Sequence, residues 1–247
     1  MCTVSFVHTP ERSGFRLMVN RDERRTRPTA GPPMERRQGG VRVVWPTDPE
    51  SGGTWVAVND AGLVFALLNR TDGSSTAPAG VRSRGLVIPQ LADARSLGQA
   101  LERWADLPLT DYAPFRLVIA TAGHYACVGW RRERTVRVVG PWERPMMFTS
   151  SGLGDAMVEA PRAALFRDLV TAAADPWRGQ ERYHHHTWPA ARAVSVLMSR
   201  PDAVTVCQTT VLVDSGGIEM SHAPMVDGWR GPVSRWVLSR RGAAAVA

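Results

Sequence analysis

The first seventy residues alternate between short apolar, β-branched runs and clusters of turn-forming residues, a period-two pattern that predicts strands. The runs fall at 2–8, 15–20, 41–45, 55–58 and 63–69, and Asn59-Asp60-Ala61-Gly62 between the last two reads as a hairpin turn. Residues 21–40 are dense in Arg, Pro and Gly, with too little apolar material to pack, and are predicted as one long surface loop. From 83 to 107 the spacing changes. Leu86, Leu91, Leu97, Leu101 and Trp104 predict two short helices, interrupted near Pro89 and Ser96. Strands return at 115–120, 125–130, 136–139 and 146–150. Helices are predicted at 161–174, with Pro161 in the first turn, and at 189–199; strands at 204–213 and 218–221 close the chain through Asp214-Ser215-Gly216-Gly217.

Strands in runs and helices in pairs are α+β order, not the strand-helix alternation of a parallel sheet. The economical arrangement is a four-layer αββα sandwich, two stacked antiparallel sheets with helices on the outer faces. No repeat or linker divides the sequence, so one domain is expected over 1–239, with 240–247 as a frayed tail.

A chain of 247 residues with 44% apolar and 21% charged positions has material for a sizeable core, which excludes a disordered or fibrous protein. No apolar run approaches the roughly 18 residues that span a bilayer, so no integral membrane association is expected. The start has neither a basic leader nor a long apolar segment, which makes the cytoplasm the expected compartment. Cys2, Cys127 and Cys207 form neither a disulfide framework nor a CxxC metal pattern and are expected to be free thiols. The net charge of +7 rests entirely on arginine, since the sequence holds no lysine. Such uniform replacement reads as compositional bias, and no finger, RNP or basic-helix pattern accompanies it. No nucleic-acid partner is expected; an acidic small molecule suits such a surface at least as well.

Cys2 is the most informative position. Removal of the initiator methionine leaves a cysteine whose thiol and free α-amino group sit on one residue. The amine titrates near pH 7.7 to 8, so at neutral pH a sizeable fraction of it is free to take the thiol proton. The plain alternative is a buried strand residue. Asn20-Arg21-Asp22-Glu23 closes the second predicted strand, where a carboxylate can hold an α-ammonium group and a guanidinium can favour thiolate. Taken alone, four polar residues at a strand end are a solvated turn.

These residues carry a resemblance. Met1-Cys2, Asn20-Arg21-Asp22-Glu23 with Arg27-Pro28, Gly52-Gly53-Thr54-Trp55 and Ala66-Leu67-Leu68-Asn69 resemble, in order and spacing, the NRDE or transport and Golgi organisation family. The resemblance is strong over the first seventy residues and looser at 161–170 and 209–214. It implies an N-terminal-nucleophile hydrolase-like fold, with relatives that cleave amides through a terminal cysteine. By resemblance Cys2 is the nucleophile, Asp22 orients its amine with Asn20 in the same motif, Arg21 tunes the thiol and Asn69 donates to the oxyanion. Two positions depart from the family pattern: Ser151 stands where an amide donor is usual, and Val206-Cys207-Gln208 where an Arg-Ser pair is usual.

Trp55, beside Gly52-Gly53, is a candidate for lining a substrate pocket together with Ser151. His184-His185-His186 invites a metal reading, but without a second cluster it reads as a polar loop, so neither a metal nor another cofactor is expected. Two functions follow: a cysteine amidohydrolase or acyl-transfer enzyme acting on a small amide or thioester, or a non-catalytic carrier of a hydrophobic ligand such as an acyl-CoA, lipid or haem. The expected partner is a small amide, acyl or other hydrophobic molecule.

Overall fold

The computed structural model describes residues 2–9, 14–71, 82–141, 144–226 and 228–240. The predicted tail beyond residue 240 and most of the loop after Arg70 lie outside the described residues. Within them the chain forms β1 (Cys2–Thr9), β2 (Gly14–Arg24), β3 (Met34–Gln38), β4 (Val41–Trp45), β5 (Val56–Asn59), β6 (Val64–Asn69) and α1 (Leu97–Asp106). There follow β7 (Phe115–Ala120), β8 (Tyr125–Arg131), β9 (Glu133–Val139), β10 (Met146–Thr149), α2 (Ala156–Phe166) and α3 (Pro176–His184). The last strands are β11 (Ala203–Asp214), β12 (Gly217–Val226), β13 (Trp229–Arg230) and β14 (Ser234–Leu238).

Two antiparallel sheets of seven strands result. One runs β10-β1-β2-β11-β12-β13, with β14 also on β12; the other runs β3 to β9 in chain order. Strand alternation sorts the side chains by layer. Cys2, Val4, Phe6, Leu17, Val19 and Val211 of the first sheet pack against Val44, Val58, Val64, Ala66, Leu68 and Val118 of the second, forming the central core. The outer face of the second sheet (Val43, Phe65, Leu117, Ile119) packs under Ala100 and Trp104 of α1. On the outer face of the first sheet, Val7 meets Phe166, Val170 and Tyr183 from the α2 and α3 layer. This is the expected αββα sandwich. No described helix is long and apolar enough to cross a membrane.

The hairpin predicted at 59–62 forms. Gly62 takes φ +84°, and the Asn59 carboxamide oxygen accepts from the Ala61 and Leu63 N–H groups while its nitrogen donates to Ala92 and Ala94 carbonyls. Ser96 caps α1 by accepting from Gln99 N–H at 3.1 Å. Three expectations need correction. The helix predicted from 161 starts earlier, at Ala156, so Pro161 lies inside it and not in its first turn. The 21–40 segment is not one loop, because β2 runs on to Arg24 and Met34–Gln38 pairs with β4 as an edge strand. The 189–199 segment is not an α-helix but a 3-10 stretch over Pro189–Val194 broken at Ala191. The helix lies earlier, in α3, where Asp175 caps Trp177 and Arg178 N–H groups and Pro176 occupies the first turn.

The layer between α3 and the first sheet is polar and sealed. Asn20 spends both amide protons on the carbonyls of His184 and Val196, so its oxygen takes the proton of His184 Nδ1 at 3.0 Å. Gln180 donates to Ser5 Oγ, and Ser5 in turn donates to His184 Nε2 at 2.7 Å. Ser5, His184 and Asn20 have the order of a hydrolytic triad, but all three are 0% exposed and serve as a rivet. Burial, with the nearby charges of His185, Arg16 and Arg162, lowers the His184 pKa to about 3; burial, with Arg21, lowers that of His222 to about 4. Both histidines are neutral when folded and titrate near 6.5 when unfolded. The stability this confers is therefore complete above about pH 6.5 and is lost as pH falls toward those values. The free energy of unfolding should be flat from pH 7 to 8 and fall steadily from pH 6.5 to 4, by a few kcal/mol in total, with the melting temperature falling alongside it and more shallowly in His184→Gln.

Candidate active site

Cys2 opens β1 in the interior of the first sheet, with β10 on one side and β2 on the other. It faces Arg21 across the β1–β2 ladder, and Arg21 faces Cys207 across the β2–β11 ladder. Directly opposed residues share a face, so thiol, guanidinium and thiol form a row on the side turned toward the second sheet. The β2–β11 register shifts between Thr205 and Cys207, so that Thr205 opposes Asp22.

The two sheets part here to leave a cleft of about 510 Å3. Cys2, Arg21, Trp55 and Asn69 all line it, together with Glu23, Asp48 and the strip from Arg82 to Gly85. Cys2 is 4% exposed. Arg21 lies 4.3 Å above the Trp55 ring and pairs with Asp48, with Glu23 at 3.3 Å. Burial alone pushes the Asp48 carboxyl up, yet hydrogen bonds from Arg27 and Ser51 N–H and the charge of Arg21 hold it below the usual carboxylate range. That fixed carboxylate anchors the Arg21 guanidinium beside the thiol. Asn69 ends β6, half-buried, and its side-chain amide has no hydrogen-bond partner among the described residues. It lines the cleft.

The backbone nitrogen of Cys2 donates to Ser150 Oγ at 3.1 Å, and Ser150 N–H donates back to the Cys2 carbonyl at 3.0 Å. Ser150 thus grips the atom that becomes the α-amine once Met1, which lies outside the described residues, is removed. The sequence directs attention to the neighbouring Ser151; only the antiparallel register of β1 on β10, with Thr3 opposite Thr149, singles out Ser150. Ser151 does not line the cleft. Its N–H donates to Asp155 and its hydroxyl accepts from Leu153 N–H, shaping the turn before α2.

Alternation divides the Asn20-Arg21-Asp22-Glu23 motif. Arg21 and Glu23 reach the cleft, whereas Asn20 and Asp22 are buried on the helix side and do not line it. Asp22 accepts from Thr205 Oγ1 at 2.6 Å; burial pushes its carboxyl up, against the opposing charge of Arg162. Its charge still reaches Cys2. Burial raises the Cys2 thiol, Asp22 adds to the rise and Arg21 opposes it, so the resting group is a thiol that needs a base. Cys207, 3% exposed and pushed up to about 12 by burial, is a packed strand residue. Both ring nitrogens of His184 are engaged as described above, and among the described residues no three His, Cys, Asp or Glu side chains converge as a metal site.

A family model described as Transport and Golgi organisation 2 matches residues 1–183. The chain belongs to this family. A search of curated proteins found no match. Among solved structures, this Transport and Golgi organisation 2 member is similar to a Caenorhabditis elegans N-acylethanolamine-hydrolyzing acid amidase ortholog. That similarity has a TM-score of 0.57 at 13% identity and covers 96% of this chain and 100% of the other. It is also similar to a variant conjugated bile acid hydrolase from Clostridium perfringens, at TM-score 0.46 and 12% identity over 97% and 98% of the two chains. The first of these likenesses shows the fold alone: the family member shares the amidase ortholog's architecture.

Proposed function

We propose that this family member is a cysteine amidohydrolase or acyl-transfer enzyme that acts on a small amide or thioester, with Cys2 as an N-terminal nucleophile. The observation that carries the reading is the meeting of the Cys2 side chain, Arg21 and the Asn69 amide, which has no partner among the described residues, in one cleft, with the Cys2 nitrogen held by Ser150.

After removal of Met1, the neutral α-amine takes the thiol proton and sulfur attacks the substrate carbonyl carbon. The oxyanion that forms accepts from Asn69. The intermediate collapses to a thioester on Cys2 as the leaving amine or thiol takes the proton from the α-ammonium group. Water, deprotonated by the same amine, then attacks the thioester, releasing the acid and restoring the thiol. Arg21, fixed by Asp48 and Trp55, biases the sulfur toward thiolate. The cytoplasm, where thiols stay reduced, is the proposed compartment.

The cleft lining disfavours the carrier alternative. An apolar cargo needs an apolar wall, and this one is built largely from arginines, acids and small polar residues.

Asn69→Ala tests the reading. An N-acyl reporter amide is expected to lose about 10²- to 10³-fold in kcat with little change in melting temperature. Steady-state kinetics with acid-quenched detection of the acyl group on the N-terminal peptide checks it. An unchanged kcat would remove Asn69 from the mechanism.

A further inference from the structure

The charges in the cleft do not cancel. Its lining holds five arginines, Arg21, Arg24, Arg27, Arg82 and Arg84, against three carboxylates, Glu23, Asp48 and Glu50. The carboxylates are all spent on one wall. Asp48 pairs with Arg21 and Arg27, Glu23 with the same two at 3.3 and 3.6 Å, and Glu50 with Arg27 at 3.4 Å and Arg24 at 3.8 Å. On the facing strip, Arg82 and Arg84 have no carboxylate partner among the described residues.

Both are nonetheless held in place. Arg84 donates to the Pro114 carbonyl at 3.2 Å, and Arg82 stacks 5.2 Å from the Tyr112 ring centroid. The strip is pinned to the cleft wall where Thr54 N–H donates to the Gly85 carbonyl at 2.9 Å. A side chain at Gly53 would lie only 2.4 Å from the Gly85 carbonyl carbon, so only glycine permits this approach. Arg84 is partly buried, and its charge reaches both Cys2 and Glu23. A partly desolvated guanidinium with no directly paired carboxylate is stabilised when an anion completes it.

We propose that Arg84 and Arg82 form an anion subsite beside Cys2, so that the molecule bound in the cleft carries a carboxylate- or phosphate-type group close to the carbonyl under attack. The inference rests on the reading of the cleft as the Cys2 site. Planar guanidinium groups match such oxyanions with paired, charge-assisted hydrogen bonds. The acyl-transfer substrate is then an anionic amide or thioester rather than a neutral lipid amide.

The rate of Cys2 alkylation by iodoacetate relative to iodoacetamide, followed on the N-terminal peptide by mass spectrometry, tests this. Both reagents form the same S–C bond and expel iodide, and only one carries a carboxylate. The wild-type ratio is expected to favour iodoacetate and to fall about tenfold in Arg84→Gln, and less in the exposed Arg82→Gln. Arg24→Gln, which removes the same charge from a guanidinium already facing Glu50, should leave the ratio within about twofold. A ratio unchanged in Arg84→Gln, or lowered equally in Arg24→Gln, overturns the subsite.

A second measurement does not use the thiol. Inorganic phosphate or acetate, added at matched ionic strength, should raise the melting temperature of the wild type and not of the Arg82→Gln/Arg84→Gln double variant. Stabilisation by phosphate alone or by acetate alone assigns the preferred anion, and stabilisation by neither overturns the proposal. Should Cys2 resist both reagents while an anion stabilises the wild type only, the subsite stands and the nucleophile reading falls.

Discussion

Cys2→Ala is expected to abolish acylation of the N-terminal peptide and to lower turnover of any substrate by more than about 10⁴-fold, while leaving the protein folded. Loss of the attacking atom from a covalent mechanism has no substitute in the cleft, and single removals of a nucleophile cost factors of this order. Cys207, the other thiol of the row, does not line the cleft and is held protonated by burial, so it cannot take over. The backbone bonds of residue 2 to Ser150 do not depend on its side chain, and alanine fits where cysteine packs, so the stability change should stay within about 1 kcal/mol. Cys2→Ser keeps a nucleophile and an amine but exchanges a thiol for a much weaker acid, and an intermediate loss is expected. Turnover that survives in Cys2→Ala, measured with the same reporter, would show that the cleft does not use this residue.

The second large effect is on stability, at Arg162. This side chain of α2 is 1% exposed, yet it donates from Nη1 to Thr3 and Thr149 hydroxyls at 2.7 and 2.6 Å. It also donates from Nε to the Val194 carbonyl at 3.0 Å and from Nη2 to that of Ser195 at 2.6 Å. It therefore ties α2, β1, β10 and the segment after α3 together, and its charge offsets that of buried Asp22. Arg162→Met fills similar space but removes the donors that Arg162 gives to the Val194 and Ser195 carbonyls and the largest opposing charge on buried Asp22. The expected cost is about 3 to 5 kcal/mol, a fall in melting temperature of roughly 10 °C or more. Arg162→Lys, which keeps the charge and part of the donor set, should lose less. A cost below about 1 kcal/mol in denaturant titrations would mean that water or rearrangement replaces these bonds. Because Thr3 and Thr149 flank Cys2 and Ser150, a folded Arg162 variant should also acylate more slowly.

The parts of the fold legible in the sequence are those that bury an apolar face. β1, β2, β4 to β8 and β11 alternate or run apolar because one or both sides enter a core. β3 escapes this logic. Its Met-Glu-Arg-Arg-Gln is an edge strand with no buried face, held by backbone pairing with β4 and by Arg36 stacked on Trp45. α3 escapes it too, because only Tyr183 of its buried residues joins an apolar cluster, while Gln180 and His184 are buried through hydrogen bonds to Ser5, Arg16 and Asn20. Its cap, Asp175-Pro176, was the signal available.

The same distinction governs the site. Cys2, Arg21, Trp55 and Asn69 come from three strands and a loop whose motifs are visible, and they meet in the cleft. The contiguity of Asn20-Arg21-Asp22 suggests one cluster, but period two sends Arg21 to the cleft and its neighbours to the helix layer. Ser150, and Arg82 and Arg84 with no carboxylate partner among the described residues, depend on register and on charge pairing across the cleft, which no local pattern encodes.

The proposed mechanism requires sulfur and amine to act from the first residue of the mature chain. Intact-mass analysis of the purified protein, with sequencing of its N-terminal peptide, tests it most directly. A chain lighter than its translated sequence by one methionine, beginning at Cys2, is the result predicted; a chain that keeps Met1 contradicts the mechanism, because the proposed base would then be an amide.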